Sequence, residues 1–310
     1  MNLLNNNTIN SDTIAELKRL QMVVRKLVTS TVAGQYRSFF KGHGIEFEEL
    51  RNYQTGDDVR AIDWKVTARS QHPFIKIYRE ERELDVVIAV DVSRSTATGW
   101  REKLKRDLVA QLGASLSLIA LNSNDKIGLV SFSDRIEKYF PPKKARGAVW
   151  RILHHVLLSP QEGANLGTSL EAVCSFLNRV LKKRTVVFII SDFLTDFSTD
   201  TSIGVATAEF SKALATLAKK HDVTAVFIDT TNISQSVAGE LGFINVSDAE
   251  TGEKYVLDYS DQDFVKTYSK LFEDNRAGLI EFLKKNKVKI LELSPDLEFM
   301  PKLREYFTNV

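Results

Sequence analysis

The chain has 310 residues, of which 43% are hydrophobic and 26% are charged, and its net charge at pH 7 is +2. This composition is ordinary for a soluble globular protein, and the length allows one large domain or two smaller ones. No domain-wide basic stripe is present, so no nucleic-acid partner is expected, and the single cysteine excludes an internal disulfide and a cysteine-based metal site. No apolar run is long enough to span a membrane, and the N-terminus lacks the pattern of a signal peptide, so we expect a cytoplasmic protein.

The N-terminal third combines a helix with a more irregular segment. Thr13 and Glu16 form a capping-box pattern, and apolar residues at helical spacing then predict a first helix to about residue 29. Between residues 36 and 78, aromatic and charged residues alternate and glycines interrupt them, with extended runs at 45–50 and 74–78. We expect residues 1–83 to form a helix and a small β-rich segment that packs on the following domain.

From residue 84 onward, apolar strands alternate with amphipathic helices. Strands are predicted over residues 86–91, 127–132, 135–140, 186–191, 223–228 and 288–293. Helices are predicted over residues 101–121, 148–157, 169–181, 206–219, 262–285 and 297–307. This alternation predicts an α/β domain over residues 84–310, with a mostly parallel sheet covered by helices on both faces.

Two hairpins interrupt the alternation. Only Ser133 and Asp134 separate the second and third strands, which is too short for a parallel crossover, so we expect an antiparallel pair at one edge of the sheet. A second hairpin, with its turn at residues 250–253, is predicted as an insertion near residues 241–259.

The segment D-V-S-R-S follows the first strand of the α/β domain and places three oxygen-bearing side chains, those of Asp91, Ser93 and Ser95, where that strand ends. Ligands of open α/β sheets bind at the carboxyl ends of strands, and oxygen ligands suit a hard cation such as Mg²⁺. The same residues are also typical of a polar cap on the next helix. On this segment alone, both interpretations stay open.

Two further oxygen-bearing residues follow later strands. Thr168 lies in a loop that opens a helix, and Asp192 follows the apolar run V-V-F-I-I-S. If the sheet reverses direction between its first and fourth strands, those strand ends lie side by side at a crevice. We then expect one hard-cation site with two carboxylates and three hydroxyls, formed by Asp91, Ser93, Ser95, Thr168 and Asp192.

These five residues resemble the metal-ion-dependent adhesion site of the von Willebrand factor A domain, in which D-x-S-x-S, Thr and Asp lie on successive loops. The resemblance implies that Ser93 and Ser95 bind the metal directly, that Thr168 binds in one state, and that Asp91 and Asp192 act mostly through water. Mg²⁺ is the expected cation, with Mn²⁺ and Ca²⁺ as alternatives. The threonine loop departs from many members, because Asn165-Leu166-Gly167 precedes Thr168 and Ser169 follows it.

The segment before the sheet narrows the resemblance. Residues 40–69, F-K-G-H-G-I-E-F-E-E-L-R-N-Y-Q-T-G-D-D-V-R-A-I-D-W-K-V-T-A-R, resemble the signature of the bacterial family labelled "domain of unknown function 58". The genes of that family commonly accompany those of MoxR-type AAA+ ATPases. The resemblance therefore implies a non-enzymatic adaptor or co-chaperone of such an ATPase, which binds a client carboxylate through its metal.

Two questions stay open at this point. Three carboxylates, an arginine and a tryptophan lie within nine positions and are typical either of a partner-docking surface or of an internal ion-pair network; they are Asp57, Asp58, Arg60, Asp63 and Trp64. A Mg²⁺-dependent phosphohydrolase with a strand-end Asp is the alternative function. Such enzymes use D-x-D, whereas the second position here is Ser93.

Overall fold

The structure is a computed structural model. It describes residues 19, 22–24, 26, 28, 30–40, 46–70, 72–79, 83–93, 99–100, 103–144, 147, 167–193, 208–228, 243–247, 254–258, 261–294 and 298–308.

From residue 85 onward, the described strands and helices follow the predicted order, except that two short strands at Gly99–Trp100 and Lys103–Leu104 precede a helix that begins at residue 105, whereas the sequence predicted it from residue 101. The strands are β1 (Glu46–Asn52), β2 (Phe74–Arg79), β3 (Asp85–Asp91), β4 (Gly99–Trp100), β5 (Lys103–Leu104), β6 (Lys126–Phe132), β7 (Ile136–Lys143), β8 (Thr185–Ser191), β9 (Asp222–Ile228), β10 (Phe243–Ser247), β11 (Lys254–Asp258) and β12 (Lys289–Leu293). The helices are α1 (Ser30–Phe39), α2 (Trp64–Ser70), α3 (Lys105–Asn122), α4 (Leu170–Val180), α5 (Ala208–Lys220), α6 (Gln262–Lys285) and α7 (Phe299–Thr308). The helix predicted at residues 148–157 lies outside the described residues.

A six-stranded sheet in the order β12-β9-β8-β3-β6-β7 forms the centre of the α/β domain. Neighbouring strands are parallel except for β7, which pairs with β6 in the antiparallel direction. This arrangement is that of the von Willebrand factor A-like fold, so the predicted fold class is confirmed.

Alternate residues of the central strand β3 face two separate hydrophobic clusters. Val86, Ile88 and Val90 belong to a cluster shared with α1, α3 and α7. Val87 and Ala89 belong to a second cluster shared with α4, α5 and α6. Because successive side chains of a strand point to opposite faces, an apolar strand of this kind requires helices on both sides.

The N-terminal segment contains more helix than the sequence predicted. Helix α1 packs against α7 through Tyr36, whose ring centroid lies 5.2 Å from that of Phe40 and 5.5 Å from that of Phe307. Strands β1 and β2 form an antiparallel pair, as the extended runs indicated, and α2 lies between them in sequence. The backbone N–H groups of Lys65 and Val66 donate to the Asp63 carboxylate, which caps α2 at its N-terminus.

The edge hairpin β6–β7 is longer and more irregular than predicted. Strand β7 continues through Pro141 and Pro142, which the sequence placed beyond the strand, and the register shifts twice against β6. Proline is accepted there because β7 is an edge strand with one side unpaired. A Cβ on Gly128 of β6 would lie 2.8 Å from the carbonyl oxygen of Phe140, so only glycine fits this close approach.

The remaining features concern the hairpin insertion, the cysteine and the helices. Strands β10 and β11 pair in the antiparallel direction at the position predicted for the second hairpin. Cys174 is fully buried in α4, and this burial raises the pKa of its thiol. In the described part of the chain, no helix combines the length and apolar character needed to cross a membrane.

Candidate metal centre

The sheet topology brings the carboxyl ends of β3 and β8 together. Strand β3 pairs with β6 on one side and with β8 on the other, so the chain leaves β3 in one direction and later returns to its opposite side. In the β3–β8 pair, the last paired residues are Val90 and Ile190. Asp91, the last residue of β3, and Asp192, the residue after β8, therefore lie at neighbouring strand ends, at the switch point where open α/β sheets bind ligands.

The Asp91 carboxylate is the centre of the site and joins three segments. It is only 1% exposed. Its Oδ1 accepts a hydrogen bond of 2.9 Å from the backbone N–H of Ser93. Its Oδ2 accepts hydrogen bonds from the hydroxyls of Ser191, at 2.7 Å, and Thr168, at 3.2 Å. The loop after β3, the end of β8 and the loop before α4 thus meet at one side chain.

The electrostatic environment of Asp91 disfavours a charged carboxylate. Burial, and to a smaller extent the negative charge of Asp192, raise its pKa to about 6, although hydrogen bonds from Ser93 and Ser191 act in the opposite direction. An ionised carboxylate in such a place is stabilised by a nearby cation, because a positive charge favours the deprotonated form.

A buried lysine pairs with the second carboxylate of the site, that of Asp192. The Lys105 Nζ lies 3.1 Å from Oδ2 of Asp192, and the two side chains are only 7% and 2% exposed. Lys105 is the first residue of α3 and was not among the predicted site residues. When Asp91, Asp192 and Lys105 are all ionised, the three side chains together carry one net negative charge.

A strained turn holds Asp192 at the end of β8. The next residue, Phe193, has a φ of 54°, which is uncommon for a residue with a side chain. Its backbone N–H donates to the Ser191 hydroxyl at 3.0 Å, and its buried ring stacks on Phe227 with the centroids 4.3 Å apart. Stacking in the core offsets the backbone strain, so the direction of the chain after β8 is fixed by packing.

The structure places four of the five predicted residues at these neighbouring loops, and Ser95 lies outside the described residues. Ser93 is fully buried, and its side chain hydrogen-bonds to Asp91. Among the described residues, no group of three or more His, Cys, Asp or Glu side chains is placed to hold a metal. A cation site here rests on two carboxylates and on hydroxyls, and this all-oxygen set fits a hard divalent cation that retains water.

The sequence missed Ser191 and Lys105. Ser191 ends β8 after a run of five apolar residues, and a polar residue directly before the strand-end Asp was the available signal. Lys105 carries no comparable signal, because 87 positions separate it from its partner.

The acidic residues of the N-terminal segment have local structural roles. Arg51, which lies outside the predicted group, forms an ion pair with Asp57 at a nitrogen–oxygen distance of 2.9 Å. Asp58 accepts from the backbone N–H of Arg60 at 2.9 Å and caps a short 3-10 helix. With Asp63 capping α2, all three carboxylates satisfy nearby backbone or side-chain donors.

Trp64 is the aromatic member of this group and has a largely exposed side chain. It is 66% exposed, and Val59 nearby in sequence is 56% exposed. The docking role predicted for Asp57, Asp58, Arg60, Asp63 and Trp64 remains a prediction.

Comparison with known proteins decides the family. The model of the family described as "Protein of unknown function DUF58" matches residues 49–278. The chain belongs to this family. Curated relatives of this DUF58 protein include uncharacterized proteins of Mycobacterium bovis and Mycobacterium tuberculosis, each 28% identical over 239 residues, which cover 77% of this chain and 71% of the relative.

Solved structures similar to this DUF58 protein have distant sequences. The conserved hypothetical protein BatB from Bacteroides thetaiotaomicron matches with a TM-score of 0.47 and 13% identity, over 73% of this chain and 97% of BatB. The VWA domain of SpRpn10 matches with a TM-score of 0.33 and 12% identity, over 74% of this chain and 99% of that domain. Likenesses at these TM-scores support no conclusion about function.

Proposed function

We propose that this DUF58 protein is a metal-dependent protein-interaction module. Its cation is a divalent ion, with Mg²⁺ preferred over Mn²⁺ and Ca²⁺, and the residues that hold it are Asp91, Ser93, Ser95, Thr168 and Asp192. The bound ion supplies a Lewis-acidic position to which a carboxylate of a partner protein binds. These residues would hold the ion at the carboxyl ends of the central strands β3 and β8, where the Asp91 carboxylate is shielded from bulk water.

The observation that carries this proposal is the buried Asp91 carboxylate beside Asp192. Its raised pKa of about 6 reflects the loss of water and the charge of its neighbour. A divalent ion next to both carboxylates removes this repulsion and favours the ionised forms. The hydroxyl-rich surroundings suit such an ion, because hydroxyl and carboxylate oxygens are hard ligands.

We further propose that the partner is a client protein that presents a carboxylate, and that this protein acts as an adaptor or co-chaperone of a MoxR-type AAA+ ATPase. Membership of the DUF58 family and the resemblance of residues 40–69 to its signature support this part of the proposal. A cytoplasmic location is proposed with it. A carboxylate bound across a metal gives the contact specificity for a charged partner.

We propose no catalytic activity. The alternative, a Mg²⁺-dependent phosphohydrolase, needs Asp91 as a nucleophile, yet both oxygens of Asp91 already accept hydrogen bonds and the side chain has almost no exposed surface. Ser93 also stands where such enzymes have the second Asp of D-x-D. A generic phosphatase assay with Mg²⁺ tests this alternative, and turnover that Asp91→Asn abolishes would establish it.

The proposed function is tested by capture of partners from the native cell with and without a chelator. Wild-type protein should retain a partner in Mg²⁺ and lose it with chelator, and Ser93→Ala should behave as the chelated protein does. Ser175→Ala removes an exposed hydroxyl on α4 and is the matched control, expected to behave as wild type. Equal retention of the partner in all conditions would refute metal-bridged docking.

A further inference from the structure

The fold places the buried side chain of Lys105 inside the candidate metal centre. It is the first residue of α3, its side chain is almost fully buried, and its Nζ lies 3.1 Å from the Asp192 carboxylate. The Asp192 charge acts in turn on Asp91. The ammonium group of Lys105 therefore lies at one of the two carboxylates, those of Asp91 and Asp192, at which the proposed function places a divalent ion.

Apart from the ion pair with Asp192, the surroundings of Lys105 disfavour a charged ammonium group. The N-terminal end of a helix carries partial positive charge, so a lysine in the first turn of α3 is repelled by the helix dipole. A buried ammonium also loses its hydration and requires an anionic partner. Asp192 supplies that partner. The ion pair therefore explains why Lys105 is buried although the helix dipole and the loss of hydration both disfavour its charge there.

The chemistry of lysine makes the pair exchangeable. Its charge is a compact ammonium on a flexible four-carbon chain, which can leave one oxygen without a change in the backbone. A divalent ion at the centre needs the same Asp192 carboxylate. Lys105 and the metal therefore compete for one ligand, and their like charges repel each other across it.

We propose that the Lys105 ammonium is the resident cation of this centre and lowers its affinity for divalent metal, so that metal binding requires Lys105 to leave Asp192. This inference rests on the proposed metal site. Because coupling between two binding events is reciprocal, any partner contact that draws Lys105 away from Asp192 raises metal affinity, and bound metal favours that contact equally. Lys105 thus links client capture to metal binding.

Titration of chelator-treated full-length protein with Mg²⁺ and Mn²⁺ by calorimetry tests this proposal. Lys105→Met removes the charge and keeps an unbranched buried side chain, and it should bind either metal roughly ten- to a hundredfold more tightly than wild type, the range set by repulsion between like charges a few ångströms apart. Lys212→Met removes an exposed lysine on α5 and should bind as wild type does.

A second variant, Lys105→Gln, controls for misfolding of Lys105→Met. Lys105→Gln removes the charge but keeps a donor for Asp192, and it should show the same direction of change. In thermal melts, metal-free Lys105→Met should melt below wild type because Asp192 loses its ion pair with Lys105, and saturating Mg²⁺ should raise the melting temperature of the variant by more than it raises that of wild type.

The outcomes separate this inference from the proposed function. Tighter binding by both Lys105 variants, or binding by the variants alone, supports it. If wild type binds metal and both variants bind no more tightly, the competition is wrong while the metal site stands. If wild type and both variants all fail to bind Mg²⁺ and Mn²⁺, the metal site itself is refuted and the competition with it.

Discussion

Replacing Asp91 by asparagine removes a titrating carboxyl from the buried end of β3 while keeping nearly the same shape. Burial and the Asp192 charge raise the pKa of this carboxyl from its ordinary value of 3.8 to about 6. Each unit of pKa shift corresponds to about 1.4 kcal/mol, so the ionised carboxylate destabilises the metal-free folded protein by about 3 kcal/mol.

The sign of the pH dependence follows from the direction of the shift. Between about pH 4 and pH 6 the folded state binds the Asp91 proton more tightly than the unfolded state does. The free energy of unfolding therefore falls, on account of this group, as the pH rises through that window, and the loss is complete above about pH 6. The asparagine side chain does not titrate, so the stability of Asp91→Asn relative to wild type should grow by about 3 kcal/mol across the window and then level off.

Urea unfolding, followed by tryptophan fluorescence at a series of pH values in the presence of chelator, measures this difference. Ser175→Ala removes no ionisable group and should give a difference that does not vary with pH. Addition of Mg²⁺ near neutral pH should stabilise wild type but not Asp91→Asn, because the negative charge of the ionised carboxylate favours the bound ion. A difference between Asp91→Asn and wild type that stays constant from pH 4 to pH 8 would refute the electrostatic description of the site.

Three further predictions concern the framework of the fold, each measured as the change in the free energy of urea unfolding. Gly128→Ala should destabilise the protein by about 1–3 kcal/mol, since its Cβ would lie 2.8 Å from the Phe140 carbonyl oxygen, and an unchanged stability would contradict this close approach. Tyr36→Ala should cost about 3–5 kcal/mol, because a fully buried ring against Phe307 is lost, and a cost below about 1 kcal/mol would show that α1 does not stabilise the domain. Asp63→Ala should cost about 1 kcal/mol by removing the cap of α2, while Asp63→Asn should restore most of it.

The mostly parallel sheet could be predicted because its strands are near-continuously apolar and alternate with segments of helical periodicity. The predicted two-residue connection between the second and third strands of the α/β domain indicated an antiparallel pair by length alone, and the structure has that pair, β6 and β7, with three connecting residues. Helix α2 could not be predicted in the same way, because it has seven residues, none of them buried, and depends on its cap at Asp63. Pro141 and Pro142 suggested the end of a strand, yet an edge strand tolerates both.

In the candidate site, the sequence could predict the residues at strand ends but not the residue that reaches the site from a distant helix. Asp91 and Asp192 each follow an apolar strand, so their meeting depended on one topological rule. Lys105 could not be found, because many lysines of this chain precede or follow helices and sequence does not show which one reaches a distant carboxylate. Its role depends on a contact across 87 positions, which the packing of α3 on the sheet creates.

The most direct test of the central claim is calorimetric titration of Mg²⁺ and Mn²⁺ into chelator-treated wild-type protein and Ser93→Ala. The proposed site predicts saturable binding of one ion per chain in wild type, and binding that is at least tenfold weaker or absent in Ser93→Ala. Absence of binding in wild type, or equal affinity in the two proteins, would contradict a metal centre at the ends of β3 and β8.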